Sequence, residues 1–180
     1  SKCASSNSRR FIGSSLDGCE KKRLEVNKDI HKGGCLCGHV RYKTYGRSEL
    51  TGVCHCRYCQ LRTGSAFATL IYFPFERFEI TSGDLRRHEF LSESEKRWQT
   101  NFCEKCGSTV FIELEIFEGL IGVEAGTFYP PTFWFDVSNE VFIRSKAHFV
   151  GDIVTINKDD TFFSYEPKNG ENPRLSSSQN

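Results

Sequence analysis
The sequence predicts a mainly β, antiparallel domain, and three observations carry that expectation. Short runs rich in aromatic and β-branched residues recur along the chain, the composition strands favour. Turn residues such as Gly, Pro, Asn and Asp punctuate those runs at fairly regular spacing. Three cysteine clusters, Cys35-Leu36-Cys37, Cys54-His55-Cys56-Arg57-Tyr58-Cys59 and Cys103-Glu104-Lys105-Cys106, suit metal ligands that staple a sheet.

In chain order, residues 1–30 read as an N-terminal extension, Ser-rich and basic, with Cys3 and Cys19 as free thiols. The ordered domain is expected over 31–166, starting near His31, and a mobile tail over 167–180. His39 to Tyr45 alternates as a strand with Val40 and Tyr42 on one face. A short strand leads into Val53, and the densest thiol cluster follows. Gln60 to Ser65 reads as a polar turn. Ala66 to Phe73 reads as a largely buried strand, and Pro74 stops it because proline donates no ladder hydrogen bond. Phe78-Glu79-Ile80-Thr81 is the next strand, with Ser82-Gly83-Asp84 as its turn. Further strands are expected at Arg87–Leu91, Lys96–Phe102, Thr109–Leu114, Leu120–Glu124 and Val141-Phe142-Ile143. Between the last two, Gly126 to Phe135 carries Pro130-Pro131 and reads as an aromatic loop.

Composition narrows the function classes. The 180 residues suffice for one domain of ordinary size. A formal net charge of +1 with 26% charged residues does not suggest a polyanion-binding protein, so nucleic acid is not expected as a partner. No apolar run is long enough to span a membrane. Nine cysteines in a chain without a recognisable secretory leader, spaced C-x-C and C-x-x-C, fit metal ligation in a reducing compartment better than a disulfide framework. The cytoplasm is therefore the expected location, with the nucleus as an alternative.

Seven clustered cysteines divide into four plus three. Cys35, Cys37, Cys103 and Cys106 make a closed four-thiolate set, the pattern of a structural zinc. Cys54, Cys56 and Cys59 make a three-thiolate set that leaves one coordination position for water or a substrate thiol. Two zinc ions per chain are expected. Other readings of the trio are that His55 completes a second structural site, or that the thiols form a redox-active group with Arg57 lowering their pKa. Arg57, Gln60, Arg62, Thr63 and Ser65 follow and are candidates for holding an anionic substrate, arginine being suited to carboxylates, or they are solvated loop residues. Trp98, Phe128, Tyr129, Phe133 and Trp134 either wall a pocket or pack in the core. The isolated His31, His39, His88 and His148 are assigned no chemistry.

Gly33 to Tyr42, then Cys54 to Cys59 with Thr63-Gly64-Ser65, then Phe102 to Ser108 resemble, in that order, the glutathione-dependent formaldehyde-activating enzymes, a family that includes proteins similar to centromere protein V. The resemblance implies an Mss-four-like β fold stapled by zinc. It further implies that Cys35, Cys37, Cys103 and Cys106 match structural ligands, and Cys54, Cys56 and Cys59 the catalytic set. The implied activity is a carbon–sulfur lyase reaction, condensation of glutathione with formaldehyde to S-(hydroxymethyl)glutathione. A related thiol and carbonyl pair, a specialised metabolite, and a non-catalytic zinc-stabilised binding module are the alternatives. The chain departs from the family pattern near Glu140-Val141-Phe142-Ile143 and Ala147-His148-Phe149.

Overall fold
A computed structural model describes residues 29–92 and 94–163. Most of the N-terminal extension with Cys3 and Cys19, and the C-terminal tail, lie outside the described residues. A three-stranded sheet in the order β1-β2-β5 packs on an eight-stranded sheet in the order β11-β10-β3-β4-β9-β8-β7-β6. The small sheet comprises β1 (Ile30–Gly34), β2 (Arg41–Tyr45) and β5 (Phe78–Ser82). The large one comprises β3 (Leu50–Cys54), β4 (Ala68–Pro74), β6 (Leu85–Leu91), β7 (Arg97–Cys103), β8 (Thr109–Leu114), β9 (Leu120–Glu124), β10 (Asn139–Val141) and β11 (Asn157–Asp159).

Both faces of the large sheet are covered at its centre, and β4 is accordingly apolar apart from Thr69. Ile71 and Phe73 point to one core with Val40, Tyr42, Val110, Val123 and Phe128, between the two sheets. Leu70 and Tyr72 point the opposite way, to a second core with Trp98, Ile112, Leu114 and Phe142. A strand with period-two side chains and no solvent face has no reason to alternate polar residues.

Most expected strands form within a residue or two of their expected ends, and three expectations need correction. Gln60 to Ser65 is not a turn. Arg57–Thr63 is a short helix, α1, closed by Gly64 in the left-handed region at φ 64°, whose N–H donates to the Gln60 carbonyl at 2.9 Å. The sheet is not purely antiparallel, because β10 pairs parallel with both β3 and β11. The late strand lies at Asn139–Val141 rather than Val141–Ile143, since Phe142 turns the chain at φ 58°. The aromatic loop is a loop, with a cis bond between Pro130 and Pro131.

Gly122 of β9 faces Tyr72 of β4 across the ladder, and a Cβ there would lie 2.7 Å from the Tyr72 ring. Gly122→Ala is expected to push that ring out of place and cost about 1–3 kcal/mol, read as a lowered midpoint in urea denaturation.

Candidate metal centres and the pocket beside them
The first cysteine group forms where two hairpin ends meet. Cys35 and Cys37 lie in the β1–β2 connection, whose tight path needs Gly38 at φ 85°. Cys103 ends β7, and Cys106 sits in the turn to β8 beside Gly107 at φ 73°. The four sulfurs lie within 4.8 Å of one another. Cys35 to Cys37 is 3.5 Å, and Cys37 to Cys103 is 3.8 Å. A tetrahedral ion bonded to sulfur at about 2.3 Å requires edges of about 3.8 Å, so the donor set fits a four-coordinate ion. Hydrogen bonds support thiolates here. The Val40 N–H donates to Cys35 Sγ at 3.2 Å, and the Ser108 hydroxyl 3.2 Å from Cys106 Sγ helps bring that thiol down to about 5. This group joins the small sheet to the large one.

The second group is built by a change of backbone at the end of β3. In a strand, alternate residues share a face, so Leu50, Gly52 and Cys54 point to the second core while Thr51 and Val53 point away. His55 continues the alternation and Cys56 returns to the side of Cys54. Cys56 is then the N-cap of α1, and its sulfur accepts from the Cys59 N–H at 3.4 Å. The C-x-x-C spacing thus becomes an N-cap and the third helical residue, which face each other. The sulfurs of Cys54, Cys56 and Cys59 lie within 4.8 Å of one another, and His55 is not among them. None of the seven described cysteines is in a disulfide.

His55 is fully buried on the opposite side, with Nε2 3.0 Å from Glu140 Oε1. Lys146 Nζ reaches the same oxygen at 2.7 Å, and the His55 N–H donates to the Val141 carbonyl at 3.1 Å. Burial opposes ionisation of Glu140, yet Lys146 and His55 hold its carboxyl below the ordinary value. The Gln60 amide adds bonds to the His55 and Ser145 carbonyls at 3.0 and 3.1 Å. Together these contacts tie the start of α1 to β10 and orient the thiol-bearing turn from behind.

The three thiols differ electrostatically. Cys59 is held well below the ordinary thiol value by contacts with Cys54 and Cys56 sulfurs and by the Arg62 guanidinium, against the effect of burial. Cys54 is pushed well up by Cys56 and Cys59 and by burial. Arg62 is on the same helix, three residues after Cys59. Its side chain is only 8% exposed and is ion-paired with Glu124 of β9. Burial raises the Glu124 carboxyl to about 7 even beside the guanidinium.

Of the expected substrate-binding residues, Arg62 lies beside the thiols, whereas Arg57 and Ser65 do not line the space in front of them. Arg62 is a buried charge partner of Glu124 and Cys59. Arg57 and Ser65 line a separate open depression with Gln60, Ala147 and Phe149, which contains no cysteine. What does meet the trio is a narrow pocket of about 60 Å³ with Cys54, Cys56 and Cys59 in its lining. Trp98, Tyr58, Phe117 and Phe162 form aromatic walls, and Tyr72 lies in the lining beside them. Trp98 thus walls a pocket, whereas Phe128 is buried between the sheets, Trp134 packs against that core, and Phe133 is exposed. The sequence alone assigns no role to Tyr72, Glu124 or Glu140, which strand pairing brings beside the cysteines.

The family model for glutathione-dependent formaldehyde-activating enzymes matches residues 30–145. The chain belongs to that family. A structural-genomics crystal structure of a Rhodobacter sphaeroides protein is similar over 58% of this chain and 95% of its own, at 20% identity and a TM-score of 0.43. Among the described residues, no helix is long and apolar enough to cross a membrane.

Arg62→Met would remove the counter-charge of Glu124 and leave its buried carboxyl protonated and poorly paired, with an expected loss of about 1–3 kcal/mol. The double change with Glu124→Leu should recover most of that loss; urea denaturation of the three proteins measures both effects.

Proposed function
We propose that this family member is a zinc-dependent carbon–sulfur lyase that joins a thiol to a small aldehyde, with glutathione and formaldehyde as the family-level pair. Cys54, Cys56 and Cys59 hold the working zinc, and Cys35, Cys37, Cys103 and Cys106 hold a structural one. On this reading the chain carries two zinc ions and has an Mss-four-like fold in which the four-thiolate ion staples one sheet to the other. The observation that carries it is the opening of the three-thiol group into an apolar, aromatic-walled pocket. A purely structural trio has no need of that pocket, which weighs against the binding-module reading.

Zinc bound at the trio supplies Lewis-acid stabilisation of a thiolate or of a polarised carbonyl oxygen. The remaining contributions come from the chain. Arg62 offsets part of the negative charge that accumulates on three thiolates. The His55–Glu140–Lys146 contacts keep the ligand turn rigid, which holds the reacting partners in one geometry. Trp98, Tyr58 and Phe117 exclude water from the space above the thiols. Sulfur–carbon bond formation sends the carbonyl π electrons to oxygen, and the thiol proton ends there. Tyr72 lines this space and remains a phenol, because burial and the nearby Cys59 and Cys54 thiolates push its ionisation well up; it can donate a hydrogen bond to that oxygen.

Zinc-loaded protein is expected to accelerate S-(hydroxymethyl)glutathione formation beyond the spontaneous rate in exchange NMR spectroscopy, and Cys54→Ala to return it to that rate. Absence of acceleration overturns the assignment of this substrate pair. Metal analysis should find two zinc ions per wild-type chain and one in Cys54→Ala. Cys103→Ser is expected to lower the melting temperature far more than Cys54→Ala, because only the first removes the inter-sheet staple.

A further inference from the structure
The pocket above Cys54, Cys56 and Cys59 is chemically one-sided. Among its described lining residues there is no Arg, Lys, His, Asp or Glu. The polar side-chain groups in that lining are all uncharged: the thiols, Ser92, Ser94, Asn139, the Tyr58 and Tyr72 hydroxyls and the Trp98 indole N–H. The cations nearest the site's supports have partners: Arg62 pairs with Glu124, and Lys146 and Lys158 with Glu140. Arg57 lines the other depression. A peptide thiol carrying two carboxylates and an ammonium group would find no counter-charge among these walls, and burying an unpaired charge is heavily penalised.

The walls suit another kind of molecule. Tyr58 lies 5.5 Å from Trp98, and Phe117 lies 4.6 Å from Tyr72 and 5.8 Å from Phe162, measured between ring centroids. These rings line the same space, with Leu114 and Ile116 between strand and loop. Gly52 widens it at the floor. Its position on β3 faces the pocket next to Cys54, and a Cβ built there would meet only the Asn139 carbonyl, at 3.7 Å. That glycine has no steric obligation to its own fold, so the space beside Cys54 is left open to a ligand.

We infer that the substrate entering this pocket carries an uncharged, apolar body of about ring size next to its reacting thiol or carbonyl, and that the pocket selects it over a charged peptide thiol. The inference rests on the lyase reading for its chemistry: the substrate sulfur bonds to the carbonyl carbon, the π pair moves to oxygen, and the sulfur proton follows, with nothing oxidised or reduced. The binding preference itself stands on the walls alone.

The test is calorimetric titration of the zinc-loaded full chain with two pairs of probes: phenylmethanethiol against glutathione, and benzaldehyde against acetaldehyde. The aromatic member of at least one pair is expected to bind about tenfold or more tightly than its counterpart. Preference in the thiol pair assigns the apolar body to the sulfur partner, and in the aldehyde pair to the carbonyl partner. Gly52→Leu should abolish the preference with zinc content unchanged. Phe162→Ala, at the pocket wall and outside every strand, should weaken aromatic binding several-fold should the strand variant fail to fold. Glutathione binding as tightly as phenylmethanethiol, with benzaldehyde no tighter than acetaldehyde, overturns the inference, as does a preference unchanged in the variants. Aromatic binding without accelerated condensation of any thiol and aldehyde overturns the lyase reading and leaves this one standing.

Discussion
The whole arrangement depends on the large sheet having two buried faces. One face carries the small sheet and the four-thiol group, and the other carries α1, the three-thiol group and the pocket. Because side chains on β4 alternate between these faces, a shift of one residue in its pairing with β3 or β9 would exchange Leu70 and Tyr72 with Ile71 and Phe73. Such a slip would remove Tyr72 from the pocket and crowd it against Val40 and Phe128. The register of this central ladder therefore sets the chemistry on both sides.

The two sulfur groups use similar spacings for opposite ends. At the hairpin ends, glycines with positive φ let the backbone turn around four sulfurs, and the two hairpins bring those sulfurs together from different sheets. A closed set of that kind links elements far apart in sequence, so metal affinity and folding are the same free energy. At the end of β3 the three sulfurs come from one short segment, and their relative positions follow from a strand running into a helix. The sheet adds the surroundings: Arg62 and Glu124 on one side, His55 and Glu140 behind, aromatic walls in front.

His55 illustrates how local geometry decides a role. Placed between Cys54 and Cys56, it has the right atom types for coordination, but strand alternation turns it away from both neighbours. Its ring meets Glu140, a residue of the short parallel strand β10. The Glu140 carboxylate is thus a support for the turn that carries Cys54 and Cys56. Arg62 is a similar case, because helical spacing puts it beside Cys59 and next to β9, where a buried carboxylate takes its charge.

The sequence by itself determined the β character, most strand positions, the four-plus-three division of the cysteines and the family. Each is written in local pattern: apolar runs, turn residues, and C-x-C or C-x-x-C spacing. Helix α1 was hidden because its seven residues are too short to show a period and its cap is a cysteine, a residue already read as a ligand. The parallel pairing of β10, the fate of Arg62 and His55, and the pocket were decided only by the tertiary structure. Trp98, Phe117 and Phe162 are about twenty to sixty-five residues apart from one another and share a wall because the tertiary fold brings them together. Whether an aromatic residue faces a core or a cavity depends on what stands opposite it, and that partner is set by non-local pairing.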